Sequence, residues 1–118
     1  LEPVRQSFET GEPVPWVKVH QAPDYVFFNH SVHVARGISC VECHGKVNEM
    51  NVVWHDKSHS MGFCLDCHRE PEKYIRPQSD VFDLNSPRLA DSRGLDEAKK
   101  LIEHARIMPP QSCSGCHR

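Results

Sequence analysis

One pattern, Cys-x-x-Cys-His, is written three times in this chain: Cys40-Val41-Glu42-Cys43-His44, Cys64-Leu65-Asp66-Cys67-His68 and Cys113-Ser114-Gly115-Cys116-His117. The three copies use all six cysteines. Two thiols separated by two residues can add to the two vinyl groups of one haem, and a histidine directly after the second thiol then lies beneath the iron. The pattern predicts three covalently bound c-type haems. Cys40, Cys43, Cys64, Cys67, Cys113 and Cys116 are the expected thioether donors, and His44, His68 and His117 the expected proximal iron ligands. Zinc ribbons and disulfide scaffolds also use paired cysteines, but neither accounts for a histidine after every pair.

Haem attachment also resolves a difficulty in the composition. Apolar residues make up 38% of the 118 and nine prolines interrupt the chain, so its side chains alone would build a thin core. Three porphyrins would supply the missing apolar interior, and the chain without them is expected to be largely unfolded. The formal charge of −2, with no basic run, speaks against nucleic acid as a partner. No stretch is apolar for long enough to cross a membrane. There is no Gly-rich phosphate loop and no nucleophile elbow, and Asp56, Glu70 and Glu72 read as solvated charges. Leu1 opens the chain without an export-signal pattern, so any such signal is expected upstream or removed.

The expected fold is small, single-domain and mostly irregular, with short α-helices and a minor two-stranded β element organised around the three haems. Residues 1–24, interrupted by Pro3, Pro13, Pro15 and Pro23, read as an extended arm that docks through Trp16, Val17 and Val19. Tyr25 to Phe28 reads as one strand of a small hairpin. Residues 25–77 carry the first two motifs on turns and brief helices, and residues 78–94 read as a loop or insertion. Residues 95–118 combine an amphipathic helix, Asp96 to Ile107, with the last motif. Leu95, Ala98, Leu101, Ile102 and Ala105 form the apolar face of that helix, and Pro109-Pro110 end it.

Beyond the three proximal ligands, six histidines remain: His20, His30, His33, His55, His59 and His104. A surplus of histidine beside the motifs predicts six-coordinate, closed irons, and hence outer-sphere electron transfer rather than chemistry on a substrate at iron. The run Phe28-Asn29-His30-Ser31-Val32-His33, followed by the first haem motif, resembles the class III multihaem cytochromes c, including their triheme members. That resemblance implies that His30 is the distal ligand of the haem on His44, while His33 reaches across to the haem on His68. It further implies that the distal ligand of the last haem lies just before the middle motif, in His59-Ser60-Met61-Gly62-Phe63-Cys64. His59 and Met61 compete there: histidine would complete bis-His ligation, whereas a thioether would raise that haem's potential. His20, His55 and His104 read as surface or structural residues, with His55 and His104 as reserve ligands.

Longer phrases are similar to the carboxy-terminal half of the pentahaem subunit of alternative complex III, a bacterial quinol-oxidising membrane complex. They are Trp16-Val17-Lys18-Val19-His20, Phe28-Asn29-His30-Ser31, Cys43-His44-Gly45-Lys46-Val47, Met61-Gly62-Phe63-Cys64-Leu65-Asp66-Cys67-His68-Arg69 and Cys113-Ser114-Gly115-Cys116-His117-Arg118. In that subunit the methionine matching Met61 belongs to the motif and a histidine matching His59 is not usual, which favours Met61. Its two further haem motifs and membrane anchor have no counterpart in this sequence, and residues 78–93 match nothing in it. The chain therefore reads as a part of such a subunit or as an independent relative.

These readings converge on an electron carrier rather than an enzyme. It is expected in the periplasm, because c-type haem is attached on the outer side of the bacterial cytoplasmic membrane. Haem propionates add to the negative charge, so the expected partners are redox proteins with a basic docking patch, among them a membrane quinol-oxidising complex. The alternatives are a haem-bearing subunit or fragment of such an oxidoreductase, or a reductase with one open haem site. A gas or redox sensor is disfavoured because no output domain is attached.

Overall fold

The computed structural model describes residues 1–118. Only nine of the 118 residues are buried. The radius of gyration is 16.7 Å, against about 13.5 Å for a close-packed domain of this length. Side-chain packing holds one small cluster: Ile75, Leu89 and Ala98, flanked by Ala90, Leu101, Ile102 and Ile107. An interior this sparse has the form expected of a chain whose apolar filling is a cofactor.

Seven short helices carry the chain: α1 (Glu2–Thr10), α2 (His30–Ala35), α3 (Cys40–His44), α4 (Met61–Arg69), α5 (Leu89–Arg93), α6 (Leu95–His104) and α7 (Cys113–Cys116). The expected extended arm is corrected at its start by α1. Pro3 sits in the first turn, where its missing N–H costs nothing, and Gly11 closes the helix at φ 73, its N–H donating to the Ser7 carbonyl. Trp16 and Val17 stand exposed, so the arm does not dock through them as expected. Helix α2 starts at the Asn29 cap, whose Oδ1 accepts from the Ser31 N–H at 2.9 Å. Helix α4 starts at Ser60, whose hydroxyl accepts from the Phe63 N–H at 3.2 Å.

Helix α6 buries Ala98 and ends at His104, earlier than the expected Ile107. The chain leaves it through Arg106, which has a φ of 50. The expected loop at residues 78–94 is partly ordered: it holds a 3-10 turn at Gln78–Asp80, the fully buried Val81 and helix α5. The expected hairpin is not formed. Val26 makes a single antiparallel bridge to His117, so its partner is the far end of the chain and not a neighbouring strand. The Phe27 N–H donates to the Cys116 carbonyl at 2.8 Å and the Arg118 N–H to the Tyr25 carbonyl at 3.1 Å.

A backbone junction holds the first motif against the cluster. The Arg76 N–H donates to the Gly37 carbonyl at 2.8 Å and the Leu89 N–H to the Ile75 carbonyl at 2.9 Å. Gly37 is obligatory here: its φ is 87, and a Cβ would overlap the Arg76 carbonyl and the Ile75 side chain.

Candidate functional site

The first two pentapeptides lie wholly on helical turns, in α3 and in the second half of α4; in the third, α7 holds Cys113 to Cys116 and His117 follows it in extended backbone. A helical turn puts the two cysteines, three apart, on one face and sets the histidine beside the first of them, four apart. That is the arrangement in which two thiols and one imidazole can converge on a single flat ligand. The motifs also approach one another. Burial pushes the Cys43 thiol up to about 11, and the negative charge of neighbouring Cys64 adds to it. Burial pushes Cys67 up to about 12, with Cys43 contributing, and raises Cys64, which feels Cys116.

The histidines form two parallel-ringed pairs. The His30 and His44 rings lie 6.1 Å apart, centre to centre, at an interplanar angle of 7°. His33 and His68 are 6.2 Å apart at 29°. With metal–nitrogen bonds of about 2 Å, two imidazoles on opposite sides of one metal atom have centres about 6.3 Å apart. The centre-to-centre separations of both pairs match that spacing. In the second pair the ring orientation is fixed as well: His33 Nδ1 donates to the Asn29 carbonyl at 2.8 Å and His68 Nδ1 to the Pro110 carbonyl at 2.7 Å. Those bonds leave Nε2 of each ring as the nitrogen that could bind a metal. A cleft of about 250 Å³ adjoins this pair and Cys67, walled by Val32, Ile38, Ile75 and Ile107.

No second histidine pairs with His117; the ring beside it is that of Tyr25, at 5.7 Å. Met61 is exposed at the start of α4, one turn before Cys64 and so on the same helix face. His59 is turned towards the first motif. Its Nε2 donates to the Cys43 carbonyl at 2.7 Å, and its ring packs against His55 at 4.7 Å. His20 is half-buried with its Nε2 unpartnered, and it lies edge-on to His44 at 4.3 Å, too close for a metal atom between them. Burial lowers both His20 and His44 from the usual imidazole range, which keeps the rings neutral, as a metal ligand must be. His55 is exposed beside His20 and His59, and His104 is exposed on α6.

Sequence reasoning missed a buried ionic group at the first motif. Glu42, between the two cysteines of α3, accepts from Arg76 Nη1 at 2.6 Å and from Arg88 Nη2 at 2.8 Å and Nε at 3.1 Å. Arg76 Nε also donates to the Ser86 carbonyl at 3.0 Å, and the Arg88 guanidinium lies 5.1 Å over the Tyr74 ring. Glu42 thereby fastens the 78–94 segment to the first attachment site. Three charges separated by 34 and 46 residues leave no local signal.

Residues 26–118 match the family described as cytochrome c7 and related cytochrome c. Over 63 residues the chain is 35% identical to cytochrome c-552 of Porphyromonas gingivalis, an alignment covering 48% of this chain and 13% of that protein. No helix is long and apolar enough to cross a membrane. The cysteine pairs on helical turns and the match over most of the length agree: the chain belongs to the cytochrome c7 and related cytochrome c family, whose members carry covalently bound c-type haem and transfer electrons.

Proposed function

We propose that the chain is an electron-transfer module holding three low-spin c-type haems, one on each pentapeptide. In this reading His30 and His44 would hold the iron of the first haem, His33 and His68 that of the second, and Met61 and His117 that of the third. The observation that carries it is the separation of the two histidine pairs, 6.1 and 6.2 Å, which matches two imidazoles sharing one metal atom. When bound, c-type haem supplies one-electron exchange at iron through the porphyrin edge. The protein's part would be to supply the ligands to the iron, hold their rings and keep water away. Asn29 and Pro110 do this for His33 and His68 through their carbonyls. No side chain needs to move a proton.

Met61 is supported over His59 by two observations. It shares a helix face with Cys64, which feels Cys116 of the last motif, and the Nε2 of His59 is engaged by the Cys43 carbonyl. The assignment to the periplasm follows from the cofactor class, and the partners are redox proteins. A second reading, a haem-bearing part of a membrane quinol-oxidising complex, is favoured by residues 1–25. They lie outside the family match and expose Phe8, Trp16 and Val17, as a segment covered in an assembly would.

The test is a spectrum of the intact holoprotein with its mass. Three haems per chain, all low-spin when reduced and unaltered by carbon monoxide or cyanide, are expected. A high-spin fraction that binds either ligand would establish an open iron and a reductase-like role, and fewer than three haems would remove the reading altogether.

A further inference from the structure

The cleft beside His33 and His68 has largely apolar walls. The charged side chains that line it are Arg36 and Arg106, and no carboxylate faces it. Neither arginine forms an ion pair with an acidic residue of the chain; the arginines that do are Arg5, Arg76 and Arg88. The two are held together, because Arg36 Nη1 donates to the carbonyl of Ala105, the residue before Arg106, at 2.7 Å. Arg106 also has a φ of 50. It follows the last turn of α6, where glycine is the residue that adopts this conformation freely. An L side chain kept in a strained backbone position asks what that side chain does.

A haem is a flat apolar disc with two carboxylates on the edge away from its vinyl groups. A site for it therefore needs apolar walls, cysteines at one edge and cations at the other. Guanidinium is the cation that matches a carboxylate with two parallel hydrogen bonds. We infer that Arg36 and Arg106 form a carboxylate clamp for the propionates of the haem held between His33 and His68. This rests on the proposed assignment of that pair. Two positive charges beside the cofactor favour the reduced iron, which carries one positive charge fewer, and they hold the propionates ionised across the neutral pH range. The clamp thus sets the second haem above the potential it would otherwise have and makes that potential insensitive to pH.

Holoprotein variants Arg106→Gly, Arg106→Lys and Arg36→Gln, with His33→Ala as the marker, test this in potentiometric titrations followed by electron paramagnetic resonance at several pH values. His33→Ala should turn one haem high-spin and so identify it. In Arg106→Gly, which relaxes the backbone and so should fold at least as well, the reduced-to-oxidised ratio of that same haem should fall about tenfold at fixed solution potential, equivalent to 59 mV. Its potential should also become pH-dependent. Arg106→Lys should retain most of the wild-type behaviour and Arg36→Gln should resemble Arg106→Gly. If Arg106→Gly raises thermal stability but leaves every potential unchanged, or moves a different haem, the clamp is refuted while the ligand assignment stands. If His33→Ala leaves all haems low-spin, the ligand assignment itself fails and takes the clamp with it.

Discussion

Replacing Glu42 with alanine removes the only negative charge between two arginines. The Arg76 and Glu42 side chains are 5% and 6% exposed, whereas Arg88 is 39% exposed. Breaking a buried ion pair by removing one partner costs ~3–5 kcal/mol, because the other charge is left in the interior without compensation. Arg88 can turn to water and Arg76 keeps its bond to the Ser86 carbonyl, so the expected loss lies near the lower end, about 3 kcal/mol. A domain of this size is stable by only ~5–15 kcal/mol, so the effect is large. Urea unfolding of the holoprotein, followed by far-ultraviolet circular dichroism, measures it. Glu97→Ala is the control: its pair with Lys100 is 50% and 70% exposed, so solvent screens it and the loss should be far smaller. The double variant Glu42→Met/Arg76→Met should recover most of the loss, since an apolar pair of similar volume replaces a buried ion pair nearly neutrally. If Glu42→Ala is no more destabilising than the Glu97 control, the buried group does not fasten the 78–94 segment and the reasoning is wrong.

Three further outcomes are expected. Gly37→Ala, which places a Cβ on the Arg76 carbonyl at a φ of 87, should cost about 2 kcal/mol or more in the same unfolding assay; a neutral result would show that the junction can shift. Met61→Ala should convert one haem to high spin and abolish any thioether-to-iron absorption band, while His59→Ala should leave all haems low-spin; the reverse pattern would give the third haem to His59. Cys64→Ala/Cys67→Ala, which prevents the middle attachment, should yield a chain with two haems whose hydrogen exchange is accelerated around Val32, Ile38 and Ile107. Unchanged protection there would mean that the cleft is held by protein alone.

What the sequence made legible was the chemistry that local spacing encodes. The three pentapeptides needed only their own residues to declare two thiols and an imidazole on one face, and α6 could be read from Ala98, Leu101 and Ile102 recurring at helical intervals. Long-range relations were illegible. The Tyr25–Phe28 run looked like half of a hairpin because its β-favouring residues are clear, yet its partner, His117, lies at the other end of the chain. Glu42, Arg76 and Arg88 are ordinary charges until folding brings them together. The arm at Glu2–Thr10 was misread because its proline was counted as a breaker, although Pro3 occupies the first turn, where proline is at home. His20 could not be distinguished from a surface histidine, since nothing near it in the chain announces that it will lie against His44.

Contacts among the attachment sites run through the middle one. Cys64 acts on Cys43 of the first motif and feels Cys116 of the last, and the Gln111 side chain, just ahead of the last motif, donates to the His68 carbonyl at 3.3 Å. The arrangement has the topology of a junction with two arms, not of three independent stations. If each site carries a haem as proposed, damage at either arm would leave a working pair, but damage at the centre would isolate the outer sites and slow traffic between them far more than the loss of one carrier in three implies.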